Sequence, residues 1–341
     1  MSEHLESYNI HNVIKFNLRN KMRFGGALKR VNTEYEYFKT NMVIDDPDFS
    51  INIYDYHSFL YKSKINLSKY IKYKDYYFLV ELDTEQKLID VLRFRYDLKG
   101  FRNLFGYSAL KNIFVRSLLS IHMINRNSTL VHGGGVSYNG KASIFVGRPG
   151  VFKTTIVMKL IKDHKMKYLG EENIFLNNNK VYSFPLNEKS FNYKAQNWNN
   201  ENPESSLDKL LLGLNILIGK QNAPLEISAP SELENIFLIN KSKKFSIRKV
   251  SFSDEILDQL VNNEKLELQI CPTHYLSGIH TNIIENIYEH YFKKSPFQLS
   301  NIWDELKKIF INYIKNKKIY QITVPPKYSN DIHLTLLEYI S

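Results

Sequence analysis

Residues 129 to 155 read Thr129-Leu130-Val131-His132-Gly133-Gly134-Gly135-Val136-Ser137-Tyr138-Asn139-Gly140-Lys141-Ala142-Ser143-Ile144-Phe145-Val146-Gly147-Arg148-Pro149-Gly150-Val151-Phe152-Lys153-Thr154-Thr155. Asn139-Gly140 between two apolar runs is a strong hairpin signal, because a type I′ turn needs positive φ at both central residues. The two runs are therefore expected to pair antiparallel. Beyond Val146 the chain enters a Gly-containing loop, and Ile156 to Ile161 continues as a helix. Strand, loop, Lys-Thr, helix is the layout of a phosphate-binding (Walker A) loop. Such a loop converges backbone N–H groups and a helix N-terminus on an anion. A lysine neutralises phosphate charge, and a hydroxyl ligates magnesium. Gly147, Lys153 and Thr154 stand where the pattern G-x-x-x-x-G-K-[ST] requires them, but Phe152 occupies the place of the second glycine. A side chain there demands a conformation open to residues with a Cβ, and Gly150, two residues earlier, supplies part of the freedom.

Working outward, Lys167 to Leu169 reads as a short strand that ends in Gly170-Glu171-Glu172. Phosphoryl transfer needs a carboxylate beside the γ-phosphate, to hold magnesium or to accept the proton of the attacking hydroxyl. One of Glu171 and Glu172 is expected to bind the metal and the other to orient the nucleophile. Ile174 to Leu176 and Val181 to Phe184 flank the polar turn Asn177-Asn178-Asn179, a second hairpin. His132 precedes three glycines that let backbone or ligand approach closely. The His-Gly-Gly-Gly run also suits an esterase oxyanion hole, but the G-x-S-x-G elbow that would accompany it is missing from the chain.

His132-Gly133, the short hairpin, Gly147 to Thr155 and the acidic pair together resemble the catalytic core of HPr kinase/phosphorylase, a P-loop family related to phosphoenolpyruvate carboxykinase. The resemblance spans residues 129–185. It implies an α/β fold with a mixed sheet around the loop, and an ATP- and magnesium-dependent phosphotransferase. The nucleotide would lie along Gly147, Arg148, Pro149, Gly150, Val151, Phe152, Lys153, Thr154 and Thr155. By position the family's two aspartates are Glu171 and Glu172, its loop lysine and hydroxyl are Lys153 and Thr154, and its His-Gly is His132-Gly133. Catalysis would then fall to Glu171, Glu172, His132 and Lys153, and the metal to Thr154, Glu171 and Glu172. Two departures stand out: each Glu reaches one methylene further than Asp, and Phe152 replaces the loop glycine. The phosphate acceptor is left as a hydroxyl on a protein, peptide or small molecule, and HPr itself is not carried over. A nucleotide-binding or scaffold protein that no longer catalyses is the alternative, and Phe152 favours it.

The part before about Leu98 alternates apolar and polar residues in short pieces such as Ser50 to Tyr54 and Tyr76 to Leu82, with the period and composition of strands. Ser108 to Ile124 changes to helical spacing, which marks a join. The expected organisation is a β-rich N-terminal domain over 1–125 and the P-loop domain over 126–341. Further helices are expected at Leu207 to Gly219, at about Ser300 to Lys315 and after Pro325-Pro326, with strands at Asn235 to Ile239 and Tyr320 to Val324.

The 341 residues carry a net charge of +11, but the basic excess is spread thinly. Its tightest runs, Lys241 to Lys244 and Lys315 to Lys318, are short, so a solvated face is the expectation rather than a nucleic-acid footprint. One cysteine, Cys271, makes no intrachain disulfide and suits a reducing compartment, the cytoplasm. The first residues do not read as a secretory signal. The longest apolar stretch, Leu210 to Ile218, falls short of a membrane span. Self-association is left open by the composition.

Overall fold

The computed structural model describes residues 4–21, 35–55, 70–73, 76–83, 88–95, 115–186, 225–270 and 302–340. The fold is mixed α/β and divides into two compact units, Met1–Asn127 with Lys265–Leu306, and Ser128–Glu264 with Lys307–Ser341. The expected helix at 207–219, the 108–114 part of the joining helix and Cys271 lie outside the described residues. Among the described residues no helix is long and apolar enough to cross a membrane.

In the first unit, β1 (His4–Ile10), β2 (Ile14–Lys21), β3 (Lys39–Thr40), β4 (Phe49–Asp55), β5 (Tyr70–Tyr73), β6 (Tyr76–Asp83) and β7 (Leu88–Arg95) form one sheet in the order β3-β1-β2-β4-β7-β6-β5. The parallel pairs β2·β4 and β4·β7 lie at its centre. Rings from successive strands stack across it: Tyr8 on Phe16 at 4.8 Å, and Phe16 on Phe49 at 5.1 Å. His122, from the buried helix α1 (Arg116–Ile124), continues the stack on Phe49 at 5.2 Å. Glu6 lies buried beneath and is held by Lys39 Nζ at 2.7 Å. Burial first, and then the Glu6 carboxylate, push the Tyr8 phenol well above its ordinary pKa, so it stays protonated and donates to Glu6 at 3.1 Å.

The second unit is built on β8 (Thr129–Tyr138), β9 (Lys141–Gly147), α2 (Lys153–His164), β10 (Lys167–Gly170), β11 (Asn173–Asn177), β12 (Lys180–Tyr182), β13 (Ser231–Lys241), β14 (Ser246–Val250), α3 (Asp254–Ile270), α4 (Ile302–Ile314), β15 (Lys318–Val324) and α5 (Asp331–Ile340); the first turns of α4 and the last of α3 belong to the first unit. Asn139 and Gly140 have φ of 50° and 77°, and the hairpin closes on the Tyr138↔Lys141 pair. Asn178 and Asn179 repeat the device at φ of 48° and 58° between β11 and β12. Beside β9, β13 and then β15 run parallel. The pairings β8·β9, β9·β13, β13·β12, β12·β11 and β11·β8 close on themselves, so the sheet curls. Across the parallel strands Phe145, Phe237 and Tyr320 stack at 5.1 Å and 5.1 Å, each pair adding ~1 kcal/mol beyond its burial. Ile156, Val157 and Leu160 of α2 and Ile332, Leu336 and Ile340 of α5 complete that core.

The glycine run of β8 is what lets these parts meet. A Cβ on Gly134 would lie 2.7 Å from Val157 Cγ2 and 3.6 Å from the Lys153 carbonyl, so α2 rests directly on the strand. A Cβ on Gly133 would lie 2.6 Å from the Phe145 carbonyl oxygen, and backbone within a ladder cannot retreat. Gly133→Ala is expected to cost about 1–3 kcal/mol by overpacking, read as a lower midpoint in urea unfolding; an unchanged midpoint would show that the strands can part.

Candidate phosphate-binding site

Parallel β9, β13 and β15 end together at Gly147, Lys241 and Val324, so the loop leaves from the carboxyl ends of these strands. From Gly147 the chain turns through exposed Arg148, Pro149 and Gly150 and buried Val151 into α2. Gly147 has no room for a side chain, since a Cβ would lie 2.4 Å from the Ile239 carbonyl oxygen. Gly150, at φ +83°, makes the turn.

Phe152 overturns one expectation. It keeps the glycine-like conformation of its position, at φ 65° and ψ 18°, rather than an ordinary one. The left-handed backbone costs roughly 1–2 kcal/mol with a Cβ. Offsetting this, the Phe152 ring meets Tyr328 edge-on at 5.5 Å. Tyr328 in turn shares a hydrogen bond with His333 Nδ1 at 3.0 Å. The Phe152 carbonyl accepts the first helical bond, from Ile156 N–H at 2.9 Å, and no side chain caps the helix. The loop therefore passes straight into α2 through a left-handed residue, with an aromatic clamp added.

Lys153 is buried, and its ammonium donates to the carbonyls of Gly147 and of Arg148, the latter at 3.2 Å. This places the charge beneath the loop. Thr154 and Thr155 are half-buried in the first turn, where amides have no intrahelical carbonyl behind them. A second cation, which in the sequence reads only as part of a short solvated basic run, approaches from β13: Lys241 Nζ lies 3.3 Å from where a Gly150 Cβ would stand. The residue is exposed, so its ammonium lines the outer side of the loop.

The acidic pair reaches the same edge. Gly170 pairs with Gly135 and Asn173 with His132, so Glu171 and Glu172 form the step between two stretches that both run along β8. Gly133 N–H donates to the Glu172 carbonyl at 3.1 Å, and Gly170 is needed because a Cβ there would lie 2.1 Å from the Asn173 carbonyl oxygen. Glu171 is buried and Glu172 exposed. The two carboxylates are thus not equivalent, a distinction the pairing in sequence does not carry.

His132 is buried on the face that bears α2, two residues from Gly134 on the loop side. Opposite it β9 has already left for the loop, and α3 takes the vacated ladder position. Asn263 Nδ2 donates to the His132 carbonyl at 2.9 Å, and the buried Glu264 carboxylate accepts from the His132 N–H. Neither residue has a sequence signal, since only the fold brings α3 to this strand edge. Among the described residues no three His, Cys, Asp or Glu side chains form a metal cluster. Magnesium held by one or two carboxylates, phosphates and its own waters needs none. No protein-family model matches the chain, and no curated protein matches it in sequence.

The Phe152 clamp makes two testable claims. Phe152→Ala removes the ring but keeps a Cβ in left-handed backbone, whereas Phe152→Gly relieves that backbone; the alanine variant should be the less stable by about 1 kcal/mol in thermal or urea unfolding. Burial holds the His333 imidazole below its ordinary pKa of 6.5, outweighing the pull of Asp163. Between the folded and unfolded values the unfolded chain binds more protons, so stability rises with pH. The contribution of neutral His333 is complete above pH 6.5 and falls as acidification passes 6.5 towards the folded value. His333→Gln should flatten this part of the stability–pH curve; a curve of unchanged slope would overturn the assignment.

Proposed function

We propose that the second unit is a nucleotide-dependent phosphotransferase of HPr kinase type, acting with ATP and magnesium on a hydroxyl group. The observation that carries this reading is Lys153: a buried ammonium under a Gly-containing loop at the carboxyl edge of parallel strands, in a unit that also buries a carboxylate, Glu171, on the strand step along β8. Burying a charge is costly unless it is held by hydrogen bonds. Two loop carbonyls hold this one at the root of the phosphate cradle.

In the reaction Lys153 balances charge on the β- and γ-phosphates, and the first-turn amides of α2 receive phosphate oxygens. Lys241 supplies a further positive charge from outside. Thr154, Glu171 and Glu172 are the oxygen donors that would hold magnesium, which when bound neutralises phosphate charge. Glu171 or Glu172 takes the proton of the acceptor hydroxyl as its oxygen bonds to the γ-phosphorus. The bond from that phosphorus to the β-phosphate oxygen breaks, and ADP leaves. His132, fixed through its backbone by Asn263 and Glu264, stands beside the loop as an electrostatic or hydrogen-bonding partner. The non-catalytic alternative shares every binding residue and differs only in the fate of the γ-phosphate.

Calorimetric titration with magnesium and a non-hydrolysable ATP analogue tests the reading. Wild type should bind, and Lys153→Ala, still folded by circular dichroism, should bind about ten- to a hundredfold more weakly, the worth of a charge-assisted hydrogen bond. Equal binding by the two proteins would sink the assignment. Binding of ATP without loss of its γ-phosphate would select the non-catalytic reading.

A further inference from the structure

Asn173 stands one strand away from His132 and is 1% exposed, yet its Oδ1 makes no hydrogen bond. Buried side-chain oxygens are nearly always satisfied, and leaving one unmade costs free energy that a plain apolar residue would not. Its position explains the exception. As the direct cross-strand partner of His132, Asn173 lies on the same face of the sheet. Gly134, two residues along β8, presents that face to the first turn of α2. Asn173 also follows the acidic pair directly. The unmade acceptor thus shares with His132 and Gly134 the face of the sheet that carries α2, directly after the acidic pair in the chain. Asn235 has an unmade Oδ1 as well, but its Nδ2 donates to Ser143 Oγ at 3.0 Å near the start of β9, at the opposite end of the parallel strands.

Resting on the phosphotransferase reading, we propose that Asn173 is a positioning residue of this site, and that its side-chain carbonyl accepts a hydrogen bond from a water molecule of the nucleotide-bound magnesium ion. The donor follows from the chemistry of the ligand. Phosphate oxygens only accept. The acceptor hydroxyl has one proton, which the reaction sends to a carboxylate. Magnesium, by contrast, keeps several waters when it binds through phosphates and one or two carboxylates, and each is a hydrogen-bond donor. On this reading the partner of Asn173 Oδ1, which has none within the protein, arrives with the nucleotide.

The test uses the full chain and a non-hydrolysable ATP analogue, titrated with magnesium and again with EDTA, for wild type, Asn173→Leu and Asn173→Asp. Each protein is also melted without ligand. Magnesium should raise the affinity of wild type. In Asn173→Leu that gain should shrink by about five- to tenfold, the worth of one hydrogen bond, while the affinity in EDTA and the ligand-free melting temperature do not fall. Asn173→Asp keeps an acceptor at this place and should retain the gain. A full gain in Asn173→Leu, its loss in Asn173→Asp, or a lower melting temperature in both variants overturns the proposal. These results leave the phosphotransferase reading standing as long as wild type binds and Lys153→Ala binds more weakly. Wild type that binds no nucleotide overturns both.

Discussion

The second unit depends on how closely α2 lies on β8. A helix can carry its first-turn amides to the edge of a sheet only if it rests on the strand beside its own loop, and at Gly134 the distance leaves no space for a methyl group. The consequences run in both directions along the chain. Towards the core, Val157 and its neighbours reach the Phe145, Phe237 and Tyr320 stack. Towards the edge, Lys153 falls within reach of the Gly147 and Arg148 carbonyls. The packing of the core and the seat of the candidate site thus rest on the same absent side chains.

The loop shows how a local rule can be broken and the break contained. The glycine position of the pattern carries Phe152, whose left-handed backbone is disfavoured by itself. The ring is drawn into a contact with Tyr328, which is tied to His333, which lies 3.7 Å from Asp163 at the end of α2. Both ends of α2 are therefore linked through the segment that leads into α5. Strain of this kind persists where surrounding structure over-determines it.

The polar residues of the edge follow a similar logic. Where β9 departs, the backbone of His132 would lose its ladder partner, and a buried unpaired amide is costly. Asn263 and Glu264 take up that amide and carbonyl. In this way α3 brings a buried carboxylate to the root of the loop while serving the strand. The acidic pair is held from the other side through Gly133 and the tight turn at Gly170.

The order of elements from Thr129 to Tyr182 was legible in the sequence because each is specified by neighbours in the chain: positive-φ residues at Asn139-Gly140 and Asn178-Asn179, alternation in the strands, and a Gly-containing loop before an apolar helix. The glycine run announced a close approach without naming what approaches, which is a helix. Lys153, Thr154 and Glu171 were legible for the same local reason. Lys241, Asn263, Glu264, Tyr328 and the unmade bond of Asn173 were not. Each acts on residues tens of positions away or across a strand pair, and such contacts are decided by register, curl and packing of the whole unit. The sequence by itself determined the turns, the loop and their order; the tertiary structure decided which side chains meet at the edge, because burial and pairing are satisfied only when all the strands are in place.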